Sequence, residues 1–250
     1  MRSTLFKISN LFRRLFVPGL RYSQYVYEDA IREEMIPERS WLDLGCGHHL
    51  LPEWRYEEEK ELLGACSFVV GLDYDMLSLK KARTIKHLLR GSISELAFKD
   101  NQFGFMTSNM VVEHLDDAEK QFAEIYRVLE PGGVFLFHTV NMDGYKTLFA
   151  RLLPEFLKKP LARLLEDRAA EDVFPAHYQA NSTKQIEAIA TQVGYEVKKI
   201  HLFNNVAEFS VFPPFAFFEY IWIRILETNA MREWRTNIIC ALVKPANPKV

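Results

Sequence analysis

The chain has 250 residues, 48% hydrophobic and 26% charged, with a formal net charge of −2. That balance belongs to a soluble globular protein with room for one domain and an elaboration, and it argues against a dedicated nucleic-acid binder, which carries a basic excess. Three scattered cysteines, Cys46, Cys66 and Cys240, form neither a metal-ligand spacing nor a disulfide framework, which points to a reducing cytoplasm, and no uncharged apolar run is long enough to cross a bilayer.

The chain opens on a cationic stretch. Arg2, Lys7, Arg13, Arg14 and Arg21 precede the first acid, Glu28, while Leu5, Ile8, Phe12 and Leu15 recur at helical spacing. Residues 1–21 are therefore expected to form a basic amphipathic arm, either packed on the fold or lying on an anionic membrane surface. Arginines interrupt its apolar run, which makes it a poor signal peptide. After Pro18-Gly19 a helix is expected over residues 22–35, then a first strand at 40–44.

Residues 50–63 read as a helix with an acidic middle, Glu57 to Glu61, taken as a solvated face. A second strand over 66–72 ends at Asp73. The pattern then predicts a helix over 77–90, with a basic end that suits the helix dipole, and a short third strand near Ser92 and Ile93. A fourth strand covers 103–108, and Asp116 or Asp117 caps a helix reaching Leu129. Pro131-Gly132-Gly133 turns into a fifth strand over 134–140. An insertion at 144–180 carries short amphipathic helices broken by Pro154, Pro160 and Pro175. A helix from Ser182 or Thr183 to Gly194, a sixth strand to Phe203, an aromatic helical segment over 205–236 and a last strand over 237–244 complete the chain. Strands alternating with helices imply an α/β fold built of parallel βαβ units.

The most informative segment is Trp41-Leu42-Asp43-Leu44-Gly45-Cys46-Gly47. A short buried strand ends on two glycines, and in an open α/β sheet ligands sit at the carboxyl ends of the strands. Leu50 stands where a dinucleotide-binding G-x-G-x-x-G needs its last glycine, and the Gly-Lys-Ser/Thr ending of a phosphate loop is absent. What remains, D-L-G-C-G, resembles motif I of class I S-adenosylmethionine-dependent methyltransferases of the type 11 kind. The order of elements from Tyr22 to Lys244 resembles theirs as well.

That resemblance implies a Rossmann-like seven-stranded sheet, mostly parallel with an antiparallel last strand and helices on both faces, spanning residues 22–250. It implies S-adenosylmethionine as cofactor. Asp43, Gly45, Cys46 and Gly47 would form the methionine-facing wall, and Asp73 would accept both ribose hydroxyls, with Tyr74 beside it. Gly91-Ser92-Ile93-Ser94-Glu95-Leu96-Ala97-Phe98 is similar to the family's G-D-A-x-x-L-P-F, which places Ser92 and Ile93 at the adenine. Asn109, Met110 and His114 fall on the exit of the fourth strand, beside the methionine end, and Tyr25 joins the cofactor-lining set. Arg127 to Gly133 matches the family's R-V-L-x-P-G-G, a structural turn.

Ser92, Gly104 and His49 depart from the family pattern and motivate an alternative, a non-catalytic cofactor-binding or scaffold subunit. His48-His49 alone does not make a metal site. No N/D-P-P-Y/F sequence follows the fourth strand, which disfavours methylation of nucleic-acid amino groups. Leu148, Phe149, Leu152 and Phe156, with Phe209, Phe212, Phe215, Phe217, Phe218, Tyr220 and Trp222, make the insertion and the late helix apolar. They suggest a small lipid-like or glycan acceptor, peripheral membrane contact, or a homodimer face. The run from Phe174 to Ser182 resembles a subgroup of bacterial methyltransferases thought to act on glycan or lipid-linked acceptors. For an oxygen nucleophile the weak base candidates are His138, Tyr145, His177 and Tyr178.

Overall fold

A seven-stranded sheet organises the chain, in the order β3-β2-β1-β4-β5-β7-β6. The computed structural model describes residues 2–152, 154, 175–207 and 213–246, with side chains for those from residue 7 onward except Pro213. Strands β1 (Ser40–Leu44), β2 (Phe68–Asp73), β3 (His87–Arg90), β4 (Phe103–Asn109) and β5 (Leu129–Val140) run parallel to one another. β6 (Glu196–Phe203) and β7 (Asn237–Val243) close the other edge. β7 is antiparallel: the start of β5 meets the residue after β7 through Gly132 N–H to Lys244 O (2.7 Å) and Lys244 N–H to Gly133 O (3.1 Å), while Asn141, just past β5, donates to Thr236 O (2.8 Å). The chain runs outward from β1 in one direction and from β4 in the other, so the topological switch point lies between their carboxyl ends.

Central position explains composition. β4 is buried from Phe103 to Ser108, with only Asn109 emerging, as a strand covered on both faces must be. Helix α5 (Ala118–Val128) buries Ala118, Gln121, Phe122, Ile125 and Val128, a single apolar stripe, and Asp117 caps it by accepting from Lys120 N–H (3.2 Å). Helix α7 (Thr183–Val193) starts on Ser182, which accepts from Gln185 N–H, and stops at Gly194, whose φ of 103° lies in the left-handed region.

Two expectations about local structure need correction. The third strand is His87–Arg90, not Ser92-Ile93, and the helix expected over 77–90 shrinks to α4 (Met76–Leu79). Val70, Gly71, Leu72 and Asp73 pair with His87 to Arg90, so sheet formation overrides the helical spacing of the leucines. The helix expected over 50–63 likewise becomes a 3-10 turn (Glu53–Arg55) after Pro52 and then α3 (Tyr56–Gly64). Its acidic run is not wholly solvated. Glu59 is fully buried and accepts from Leu51 N–H (2.8 Å) and from the Thr84 hydroxyl.

The chain divides into two compact units. One comprises Met1–Val26, Val140–Pro175 and Leu202–Asn237; the other comprises Tyr27–Thr139, Ala176–His201 and Ile238–Val250. In the first, helix α1 (Arg2–Phe16) lies against α8 (Pro213–Leu226). Phe12 and Phe16 meet the Phe217 ring edge-on at 5.3 and 5.4 Å, the Ser9 and Tyr220 hydroxyls share a buried hydrogen bond (3.3 Å), and Val17, Leu20, Ala207, Ala216, Tyr220 and Ile223 form the core. The same unit holds α6 (Tyr145–Leu152). Phe156, Pro160, Phe174, Phe209 and Phe212 lie outside the described residues. The second unit carries the sheet and its core, including Trp41, Phe105, Phe122, Phe135 and Phe137.

Candidate functional site

The site is built where β1, β2 and β4 end. Beyond Leu44 the chain reverses over two glycines in the left-handed region, Gly45 at φ 70° and Gly47 at φ 55°. A β-carbon on Gly45 would collide with Val111 Cγ2 from the β4 exit, whereas one on Gly47 would meet nothing within 4 Å. The first glycine therefore lets two loops touch, and the second leaves backbone open to a ligand. Gly45 and Cys46 N–H both donate to Leu72 O, at 2.7 and 3.1 Å, which fastens the turn to β2. The Cys46 thiol is buried, and desolvation pushes its pKa up, so it stays an uncharged thiol.

Asp73 closes β2 and faces this turn. One carboxylate oxygen accepts from Gly47 N–H (2.7 Å) and the other from Asp75 N–H (2.7 Å). A carboxylate has about four lone-pair positions, so each oxygen retains capacity for a ligand hydroxyl. Tyr74 is 69% exposed, with the Arg90 guanidinium 5.7 Å from its ring centre. Ser92 lies on the surface after β3, where its hydroxyl accepts from Ser94 N–H (3.1 Å); Ile93 beside it is buried.

Beneath the turn lies a buried polar chain. Trp41 Nε1–H donates to Thr107 Oγ1 (2.7 Å), and the Thr107 hydroxyl donates to Asp43 Oδ1 (2.6 Å). Burial, reinforced by the charges of Glu59 and Asp73 and opposed by the Thr107 hydrogen bond, pushes the Asp43 pKa up to about 7. Asp43 therefore underpins the strand from inside the core. Alongside, His138 Nδ1 is 2.8 Å from Asn109 Oδ1, and its ring lies 5.8 Å from the buried Tyr27 ring. Complete burial drops the His138 pKa to about 3, leaving a neutral imidazole. Met110 follows at φ 57°, with its N–H on His138 O (2.8 Å), and leads into a 3-10 turn (Val112–His114).

The structure brings Asp43, Gly45, Cys46, Gly47, Asp73, Asn109 and Met110 to neighbouring strand ends. His114, His177 and Tyr178 gather near Glu113, whose carbonyl accepts from His177 N–H (2.8 Å) and Tyr178 N–H (3.2 Å). Tyr25 and Tyr145 belong to the other unit, where the Tyr145 hydroxyl donates to Glu219 Oε1 (3.0 Å). His48 and His49 have ring centres 4.2 Å apart, and no group of three or more potential metal ligands occurs among the described residues. Sequence reasoning missed Glu59 and Glu113, both buried carboxylates. Glu113 carried one signal, its place among the apolar residues of VVEHL; Glu59, between Glu58 and Lys60, carried none.

Residues 42–137 match the family described as "Methyltransferase domain". That match is a likeness to a methyltransferase domain over less than half of the chain. Among curated relatives, malonyl-[acyl-carrier protein] O-methyltransferase of Erwinia billingiae is 33% identical over 125 residues, covering 50% of this chain and 48% of that protein. Ubiquinone biosynthesis O-methyltransferase of Thiobacillus denitrificans is 28% identical, covering 65% and 73%. The chain spans about half or less of the length of the first curated relatives it matches. The sheet is that of a solved S-adenosylmethionine-dependent methyltransferase from Mesorhizobium loti, with a TM-score of 0.56 and 18% identity, covering 86% of this chain and 96% of that one.

Proposed function

We propose that this chain transfers a methyl group from S-adenosylmethionine to a small, lipid-like or glycan acceptor. The observation that carries the reading is the donor set at the switch point, Asp73 anchored on the Gly47 amide beside an open glycine backbone. The residues present fit the cofactor: it has no phosphates to cradle, and none of these groups is a phosphate cradle. Asp73 would take the ribose hydroxyls, Gly45 to Gly47 would pass the methionine end, and Asn109 and Met110 would bound it from β4. Ser92 and Ile93 are assigned to the adenine side, where a single hydroxyl replaces the family's acid.

When bound, the cofactor supplies a methyl group already activated for in-line displacement. The protein's part is alignment, which lowers a barrier by about 7–11 kcal/mol when the geometry is right. His138, sealed in the core on Asn109, acts as a positioning residue. His177 is exposed and Tyr178 half-buried, so these two stand as the acceptor-side candidates. The Tyr145–Glu219 pair holds a proton between a phenol and a carboxylate in the other unit.

Among the described residues no helix is long and apolar enough to cross a membrane. Peripheral contact from the cytoplasmic side is supported by α1. Its Ile8, Leu11 and Leu15 are 39%, 54% and 65% exposed, next to exposed Lys7 and Arg14, and no acid precedes Glu28.

The reading is tested by calorimetry with S-adenosylhomocysteine and by transfer of labelled methyl groups from S-adenosylmethionine into a cell extract, split into lipid-extractable and aqueous fractions. Binding with label in either fraction is the expected result. Binding without label in any fraction favours the scaffold role, and absence of binding sinks the cofactor assignment.

A further inference from the structure

A second frame of polar side chains is buried where β4 and β5 end. Glu113, 5% exposed, accepts through Oε2 from the Thr139 hydroxyl (2.7 Å), and the same Thr139 oxygen accepts from Asn181 Nδ2–H (2.7 Å). Thr139 and Asn181 are both fully buried. A carboxylate is costly to bury, and this one is retained where it can tie together the β4 exit, the last inward residue of β5 and the loop before α7.

What the frame delivers is the backbone of 177–178. His177 and Tyr178 N–H share the Glu113 carbonyl, and Gln185 Nε2–H holds Tyr178 O (3.0 Å). Within this clamp Tyr178 sits at φ 53°, a left-handed conformation that costs a bulky residue energy and survives only where the surroundings over-determine it. Glycine would satisfy the backbone without that cost, yet a half-exposed aromatic ring occupies the position. Met110, just before the 3-10 turn that holds Glu113, is left-handed too. Two strained non-glycine residues thus flank one buried carboxylate at the carboxyl ends of β4 and β5, the edge where ligands of such sheets bind.

We propose that Tyr178 contacts the acceptor, and that Glu113, Thr139 and Asn181 are positioning residues that hold it against the β4 exit loop. The assignment rests on the methyltransferase reading and names the residue that selects the acceptor. It separates two tasks within one unit: Asp73 and the glycine turn grip the donor, while the 113–139–181 frame sets the acceptor wall.

The test compares the wild-type protein with Tyr178→Gly, Tyr178→Phe and Thr139→Val. Three quantities are read: thermal midpoint, affinity for S-adenosylhomocysteine, and the rate of labelled methyl transfer as the concentration of one cell extract is varied. Tyr178→Gly is expected to keep or raise the thermal midpoint and bind S-adenosylhomocysteine within twofold of wild type, while the half-saturating extract concentration rises at least tenfold. Tyr178→Phe should recover most of that loss if the ring face makes the contact. Thr139→Val should shift the extract dependence in the same direction at unchanged donor affinity; should it fail to fold, the two Tyr178 variants decide. Wild-type extract dependence in Tyr178→Gly overturns the proposal, as does a parallel loss of donor affinity. A wild-type protein that binds S-adenosylhomocysteine but labels nothing removes the catalytic reading and this proposal with it; one that does not bind removes the cofactor assignment.

Discussion

Asp43 is a carboxyl group that the fold keeps against its preference for water. Its pKa, pushed up to about 7 by burial, means that the folded protein favours the protonated form more than the unfolded chain does. The contribution is therefore fully present below the unfolded value of about 3.8 and is lost progressively as pH rises from there through about 7. The ceiling on this loss is about 4 kcal/mol, since each pKa unit corresponds to about 1.4 kcal/mol. Asp43→Asn keeps an acceptor for the Thr107 hydroxyl and removes the titration. Urea unfolding at pH 5 and pH 8.5 should show the variant gaining stability relative to wild type on going to the higher pH; parallel behaviour would contradict the assignment. At this scale the sequence was informative where chemistry is local. Asp73 was legible as a strand-ending acid, and the structure places it on Gly47. Glu59 and Glu113 were not legible, because an acid in an acidic run or a loop looks solvated until its burial is known. His138 read as an acid–base candidate, but depth in the sheet, which no local pattern encodes, makes it a neutral partner of Asn109.

Elements were legible when their period was unambiguous. α5 and α7 start and end where their caps predict, because Asp117, Ser182 and Gly194 act on their own neighbours. β3 was misplaced because His87-Leu88-Leu89-Arg90 has leucines at spacings that serve helix or strand, and only pairing with β2 decides. Helix α1 shows the same division. Its amphipathicity was plain, but the structure shows one apolar arc wider than its contact, packed on α8 along the Phe12–Phe16 edge and left outward through Ile8, Leu11 and Leu15. Deleting the helix would strip the α8 core, so the informative variant is Leu11→Ser with Leu15→Ser and Arg14→Glu. Flotation with phosphatidylglycerol–phosphatidylcholine vesicles should bring up the wild type and leave this variant in the dense fraction, with the thermal midpoint unchanged. Equal flotation would remove α1 from membrane contact.

For the whole molecule, the proposed donor site is an assembly of strand ends far apart in sequence, so ligand binding there would be linked to folding. S-adenosylhomocysteine at about 100 times its Kd should add about 2.7 kcal/mol of stability, read as a rise in thermal midpoint. Asp73→Ala loses charged hydrogen bonds and the anchor of Gly47, a cost of about 1.5–3 kcal/mol in binding, and should need roughly 10–100-fold more ligand for the same rise. An unchanged ligand requirement would remove Asp73 from the site. By itself the sequence determined the α/β class, the glycine turn after β1 and the acid ending β2, because periodicity and turn chemistry are short-range; the antiparallel closing strand came only with the family resemblance. Tertiary structure alone decided that β3 pairs at 87–90, that Glu113 reaches Thr139 and Asn181, that Tyr178 is held left-handed, and that α1 joins α8. Each of these depends on contacts between residues distant in the chain, where burial and pairing outweigh the preferences of any single segment.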